Sequence, residues 1–188
     1  MHLTVGTAFT ITIFTSTVSV MTHNKNKLVD FSVVKNFGIF VIMGVILGTI
    51  FASFMKTKSL VLFFSLVVYL FGAYLMLAQE KLKKIKPNLS ITPRLFLGLF
   101  SGFVSAPMGI TGAMMNVPIL RYLGYPISKC IGSAAAIGFF ISFTGSIGFL
   151  ISGFYFDVSL PFSIGFINIP ALILFLSLIH ISEPTRQF

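Results

Sequence analysis

Acidic side chains are nearly absent from this sequence: Asp30, Glu80, Asp157 and Glu183 are the four among 188 residues. None falls inside an apolar window before residue 176, so no intramembrane carboxylate is on hand to couple a proton or a sodium ion to transport. The single cysteine, Cys130, excludes an internal disulfide and reads as a small apolar helix residue. No apolar window holds a His/Asp/Glu cluster, a metal-ligand spacing or a nucleophile with a base near it. That argues against an enzyme and calls for no metal or cofactor.

What is abundant is apolar. The chain is 56% hydrophobic and 9% charged, with a mean hydropathy of +1.00. A membrane-crossing helix needs about 20 apolar residues, and windows of that kind follow one another at Leu3–Met21, Phe37–Met55, Leu60–Ala78, Leu95–Leu120, Cys130–Ser152 and from Pro161 to Phe175. The expected class is an all-α polytopic membrane protein, a helical bundle whose first partner is the lipid bilayer. The formal charge of +9 does not point to nucleic acid, because the lysines sit between the windows, where they read as topology signals. No basic stretch precedes the first window, so no cleaved leader is expected.

One window cannot be a continuous helix. Pro107, Gly109, Gly112 and Pro118 fall within Leu95–Leu120. Each proline removes a backbone donor and crowds the preceding turn, and each glycine costs a helix roughly 1 kcal/mol against alanine. Backbone broken at membrane depth is tolerated only where protein or a water-filled cavity covers it. A discontinuous or re-entrant helix around 95–120 is therefore expected, of the kind that forms transport sites.

The lysines test that expectation. If the segment goes in and returns to the same side, the loops at 22–36, 80–94 and 121–129 share ten lysines and arginines against Lys56 and Lys58 opposite. A full crossing divides them eight to four. The positive-inside bias favours the re-entrant form, with those three loops cytoplasmic and the protein multi-pass in a cell membrane.

A half-helix N-terminus carries roughly half a positive charge and favours anions. Gly109, Gly112 and Ala113 let a solute approach the backbone, and Thr111 and Asn116 offer side-chain donors. Gly132 and Ser133 are expected to open the next helix and supply a second set of donors. The same glycines and Ser133 can instead serve helix packing alone.

In the first window, Thr12, Thr15, Ser16, Ser19 and His23 fall on one helical face. They form either a polar wall on a solute path or hydroxyls bonded to their own helix. Gly44 and Gly48 form a GxxxG that allows close helix approach. The small residues Gly132, Ala134, Gly138, Ser142, Gly145 and Gly148 mark the fifth window. A weak repeat at an offset of 126 aligns Val5-Gly6-Thr7-Ala8 with Ile131-Gly132-Ser133-Ala134 and Ser16 with Ser142. A unit of one re-entrant element and three crossings has odd parity, so its second copy is inverted, a common transporter plan.

The strings Gly98-Leu-Phe-Ser-Gly102, Gly109-Ile-Thr-Gly112-Ala113, Val117-Pro118 and Ile131-Gly-Ser-Ala-Ala135, with Val5-Gly-Thr-Ala8 followed by Thr15-Ser16 and His23, resemble the TauE/SafE sulfite-exporter family. The resemblance implies a transporter of two inverted four-element repeats that exports small anions such as sulfite or organosulfonates. The residues expected near substrate, from the broken backbone and the hydroxyl-bearing helices rather than from the resemblance, are Gly109, Thr111, Gly112, Asn116, Gly132, Ser133, Thr7 and Ser16. The glycine-rich turn departs from the family's usual G-I-G-G-G by Thr111 and Ala113. The resemblance also implies that residues 1–175 are an incomplete domain, lacking the first glycine-rich element and the last helices. Leu176–Arg186 (LSLIHISEPTR) resembles a translated sequencing-adapter string, so 176–188 is expected to be a non-native tail. A structural membrane subunit without transport is the remaining alternative.

Overall fold

The computed structural model describes residues 1–77, 91–111, 113–156 and 161–182. Seven helices account for nearly all of them: α1 (His2–Lys25), α2 (Phe31–Phe54), α3 (Thr57–Leu77), α4 (Ile91–Met108), α5 (Ala113–Tyr122), α6 (Ile127–Tyr155) and α7 (Ile169–Ser182), with a short hairpin of β1 (Ser163–Ile164) and β2 (Ile167–Asn168). Three of them, α1, α2 and α6, are long and apolar enough to cross a membrane. Their outward faces are apolar as well: Val18, Phe54 and Ile151 are exposed, as are Leu62 and Tyr69 of α3, while Phe9, Val41, Val45, Ile137, Ile141 and Phe149 make a closed core. Such a surface suits lipid as solvent.

Helix directions follow from which residues touch. Between α2 and α4, Gly98 meets Phe37 and Phe40, Gly102 meets Val41 and Val45, and Gly48 meets Phe103 and Ala106, so both numbers rise together and the helices are parallel. Between α2 and α6, Gly38 meets Ile137, Thr49 meets Gly148 and Ser53 meets Ser152, again in parallel. Since α4 and α6 point the same way, the chain between them must come back. The segment beginning at Ile91 goes in along α4, breaks after Met108 and returns along α5 before α6 starts at Ile127. The re-entrant form expected from the lysines is the one observed. The turn at 26–30, the start of α4 and the turn at 123–126 all emerge at one end of the bundle, and Lys56 and the hairpin at the other. Most of the loop at 80–94 lies outside the described residues.

Against α6, α1 runs the other way: as the α1 residue goes from Gly6 to Phe9 to Thr12, its α6 neighbour goes from Phe149 to Gly145 to Ser142. Antiparallel packing is what two copies of an inverted repeat require.

Several boundaries differ from the apolar windows. The polar loop expected at 22–36 is only 26–30, because two caps carry the flanking helices past the apolar limits. At one end, Lys27 takes a left-handed conformation (φ 56°). Its N–H bonds Asn24 O at 3.0 Å while Leu28 N–H bonds His23 O at 3.0 Å, a Schellman ending. At the other, the Asp30 carboxylate accepts from Ser32 N–H at 3.1 Å. Similarly, the loop expected at 121–129 shrinks to 123–126, closed by Gly124 (φ 90°) in a second Schellman ending. The window from Pro161 opens as the hairpin before α7 begins. Gly165 (φ 57°) leads its two-residue turn, and Phe166 packs against His2 and Phe149.

Candidate functional site

The break has a defined construction. Gly109 sits at φ 66°, its N–H bonds Ala106 O at 3.3 Å and Ile110 N–H bonds Ser105 O at 3.4 Å, so α4 ends in a third Schellman cap. Any L side chain is strained in that conformation, and a Cβ at 109 would also crowd Val5 at 3.3 Å. Pro107 adds a second effect one turn earlier. It cannot donate to Phe103 O, and that carbonyl lies 2.5 Å from where a Cβ on Gly48 would be. The close seam between α2 and α4 thus covers a carbonyl that the proline leaves without its helical partner. Past the cap, Thr111 lies against Gly138 near the middle of α6, where a Cβ on Gly138 would be 2.9 Å from Thr111 O. The N-terminus of α5 follows at Ala113.

Beside this break lies a cavity of about 310 Å³. Its walls come from three places: the α1 face Thr12, Thr15, Ser16, Ser19 and His23; Thr111, Ala113 and Val117 of the break and α5; and Ile131, Ala134, Ala135 and Gly138 of α6. The two features singled out separately in the sequence, the hydroxyl face and the glycine-proline break, therefore share one cavity. Among the described residues, no Lys, Arg, Asp or Glu lines it. The nearby Lys129 ammonium and Asp30 carboxylate pair with each other at 3.6 Å. His23 borders the cavity at the C-terminal end of α1, and its Nδ1 is buried with no partner among the described residues.

The α1 hydroxyls line the cavity and also bond their own helix and α6. Thr12 Oγ1 lies 2.9 Å from Phe9 O, Thr15 Oγ1 3.2 Å from Thr12 O, and Ser16 Oγ 2.6 Å from Thr12 O. These are local back-bonds. Thr12 also reaches Ser142 Oγ at 3.0 Å, and Thr10 pairs with Ser146 at 2.9 Å, which ties α1 to α6.

The residues expected to bind substrate separate into groups. Thr111 and Ser16 line the cavity, and Gly109 caps the helix that leads to it. Gly112 lies outside the described residues. Asn116 is fully buried on α5, where its carbonyl oxygen accepts from Ser101 Oγ at 2.6 Å, so it ties α5 to α4 across the break; its amide nitrogen has no partner among the described residues. Gly132 and Ser133 do not open a helix as expected. Because α6 starts at Ile127, they lie in its second turn, where their N–H groups belong to the helical ladder. Gly132 makes room for Leu28 O, and Ser133 Oγ accepts from Asp30 N–H at 3.0 Å, so both hold the turn between α1 and α2. Thr7 faces a different cleft, of about 430 Å³, between α1, β2 and α7, and accepts from Asn168 N–H at 2.9 Å. The residue the sequence undervalued is Gly138. It stood among the small packing residues, and its spacing of four before Ser142 was the available signal.

The family model for the sulfite exporter TauE/SafE family matches residues 1–181 of this chain. A protein of Haemophilus influenzae called "Probable membrane transporter protein" is 26% identical over 174 residues, covering 92% of this chain and 66% of the relative. A second protein with that description, from Methanocaldococcus jannaschii, is 23% identical over 181 residues, covering 95% of this chain and 67% of its own length. The chain thus spans about two thirds of the length of these relatives. No solved structure matches it.

Proposed function

The chain belongs to the sulfite exporter TauE/SafE family, a family of membrane transporters, and from that premise we propose that it carries small oxyanions of the sulfite and organosulfonate type, binding them at the cavity beside the re-entrant break. Its work is transport, with no covalent step. The observation that supports this reading is the meeting of the α1 hydroxyl face with the Thr111 break in one cavity that, among the described residues, carries no acidic side chain. A carboxylate there would repel an anion, and a lysine or arginine would hold it too tightly to release. Partial charges at the start of α5, roughly half a unit in sum, suit a solute that must both enter and leave.

Orientation follows from charge. The end of the bundle bearing Lys25, Lys27, Arg121 and Lys129 is the cytoplasmic one by the positive-inside rule, in a multi-pass arrangement in the cell membrane. The cavity, which reaches His23 and Ile131 at that end, then opens toward the cytoplasm, as the entry site of an exporter does.

Proteoliposomes loaded with sulfite test the proposal. Sulfite binding, which needs the cavity alone, carries the decision: the full chain in those liposomes binds sulfite, and Thr111→Val weakens binding by about tenfold, the loss of one charge-assisted hydrogen bond. No sulfite binding by the chain overturns the proposal.

A further inference from the structure

Resting on the anion reading just given, we propose that the cavity selects singly charged oxyanions that bring a hydrogen-bond donor of their own, and discriminates against dianions. The argument starts from the direction of the hydroxyl hydrogens. A backbone carbonyl can only accept, so a hydroxyl within bonding distance of one must donate to it. Thr15 does so to Thr12 O, and Ser16 to Thr12 O at 2.6 Å and Ile13 O at 3.1 Å. Thr12 has Phe9 O at 2.9 Å and Ser142 Oγ at 3.0 Å within reach. Ser142 gives its own hydrogen to Gly138 O at 2.9 Å, so toward Thr12 it accepts. Each of the three wall hydroxyls has one hydrogen, and in this arrangement each is directed at a protein acceptor. What Thr12, Thr15 and Ser16 turn to the cavity is lone pairs.

An oxyanion laid against that wall meets oxygen facing oxygen. A ligand hydroxyl or ammonium group laid there donates to it. The donors left for the charged end are the first N–H groups of α5, the hydroxyls of Thr111 and Ser19, and the imidazole of His23, whose Nδ1 has no partner among the described residues. With no Lys or Arg on the walls among the described residues, these donors and the partial charge of one helix end offset about one negative charge. A second charge would be stripped of water with nothing opposite it.

Three probes separate the elements of this inference: ethanesulfonate (one charge, no donor), 2-hydroxyethanesulfonate (one charge, one hydroxyl, similar size) and sulfate (two charges). Binding is measured by calorimetry on the full chain in lipid nanodiscs. The hydroxylated sulfonate binds about fivefold more tightly than ethanesulfonate, the usual yield of one hydrogen bond, and sulfate binds at least tenfold more weakly than either. Thr15→Val with Ser16→Ala brings the ratio between the two sulfonates close to one, whereas Thr111→Val weakens both and preserves the ratio. Thr15 is exposed, so Thr15→Val alone gives the same test should the double variant misfold, with a partial fall in the ratio. Equal affinity of the two sulfonates, or sulfate binding as well as they do, overturns the inference and leaves the anion site standing. Failure of all three to bind overturns the anion site and this inference with it.

Discussion

Two helix seams in this bundle are built from small residues and end in opposite states. Between α2 and α4, glycine faces backbone: Gly44 abuts Leu99 O, Gly102 abuts Val41 O, Gly98 meets Phe40, and Gly48 meets Phe103 O and Ala106. Val41 and Val45 are fully buried beside them, and the seam is closed. Between α1 and α6, hydroxyls meet hydroxyls at Thr12–Ser142 and Thr10–Ser146, and beyond them the surfaces part into the cavity that takes Thr111. The difference lies in what fills the room a missing side chain leaves. On α2 and α4 it is another straight helix, which locks. On α6 at Gly138 it is the non-helical backbone of the break, which leaves space beside it.

Substitutions that close or open these seams sharpen the contrast. The largest effect is expected at Gly102→Leu. Its first carbon would fall on Val41 O, a backbone atom with nowhere to go, so the re-entrant arm should detach from α2 at a cost of about 3 kcal/mol or more, read as loss of cooperative thermal unfolding in nanodiscs. Gly138→Val comes next. Thr111 O, 2.9 Å from the added carbon, belongs to the non-helical link between α4 and α5 rather than to a packed helix. Unfolding should therefore move by about 1 kcal/mol, while ethanesulfonate affinity drops at least tenfold. A fall in stability as large as that of Gly102→Leu would erase the distinction between the seams. The smallest effect belongs to the hydroxyl pair. A double-mutant cycle on Thr12→Val and Ser142→Ala should give a coupling of about 0.6 kcal/mol, in line with hydrogen bonds between membrane helices.

Much of this was legible from residue types. Proline and glycine clustered inside one apolar window located the break to within a few residues, because their combined cost to a helix is highest there. Lysine counts chose the re-entrant path before any helix direction was known. Spacing alone put Thr12, Thr15, Ser16, Ser19 and His23 on one face. What spacing could not say is which small residue faces what. Gly132 and Gly138 look alike in sequence, yet one accommodates the Leu28 carbonyl and the other the break. Apolar windows also mark helix ends poorly, since the Asp30 cap and the left-handed Lys27 are polar features outside them. The hairpin at 163–168 was hidden for a related reason: one glycine, Gly165, in a run of apolar residues reads as helix until its partner strand is seen.

Everything functional here turns on Thr111 facing a water-filled, anion-binding cavity. The direct measurement places a thiol there: Thr111→Cys in a Cys130→Ala background, since Cys130 is buried, treated in nanodiscs with a charged, water-soluble thiol reagent. The account predicts modification that slows as ethanesulfonate is added and reaches a floor at saturating concentration. A cysteine at 111 that reacts only with lipid-soluble reagents, or at a rate indifferent to the sulfonate, would contradict it.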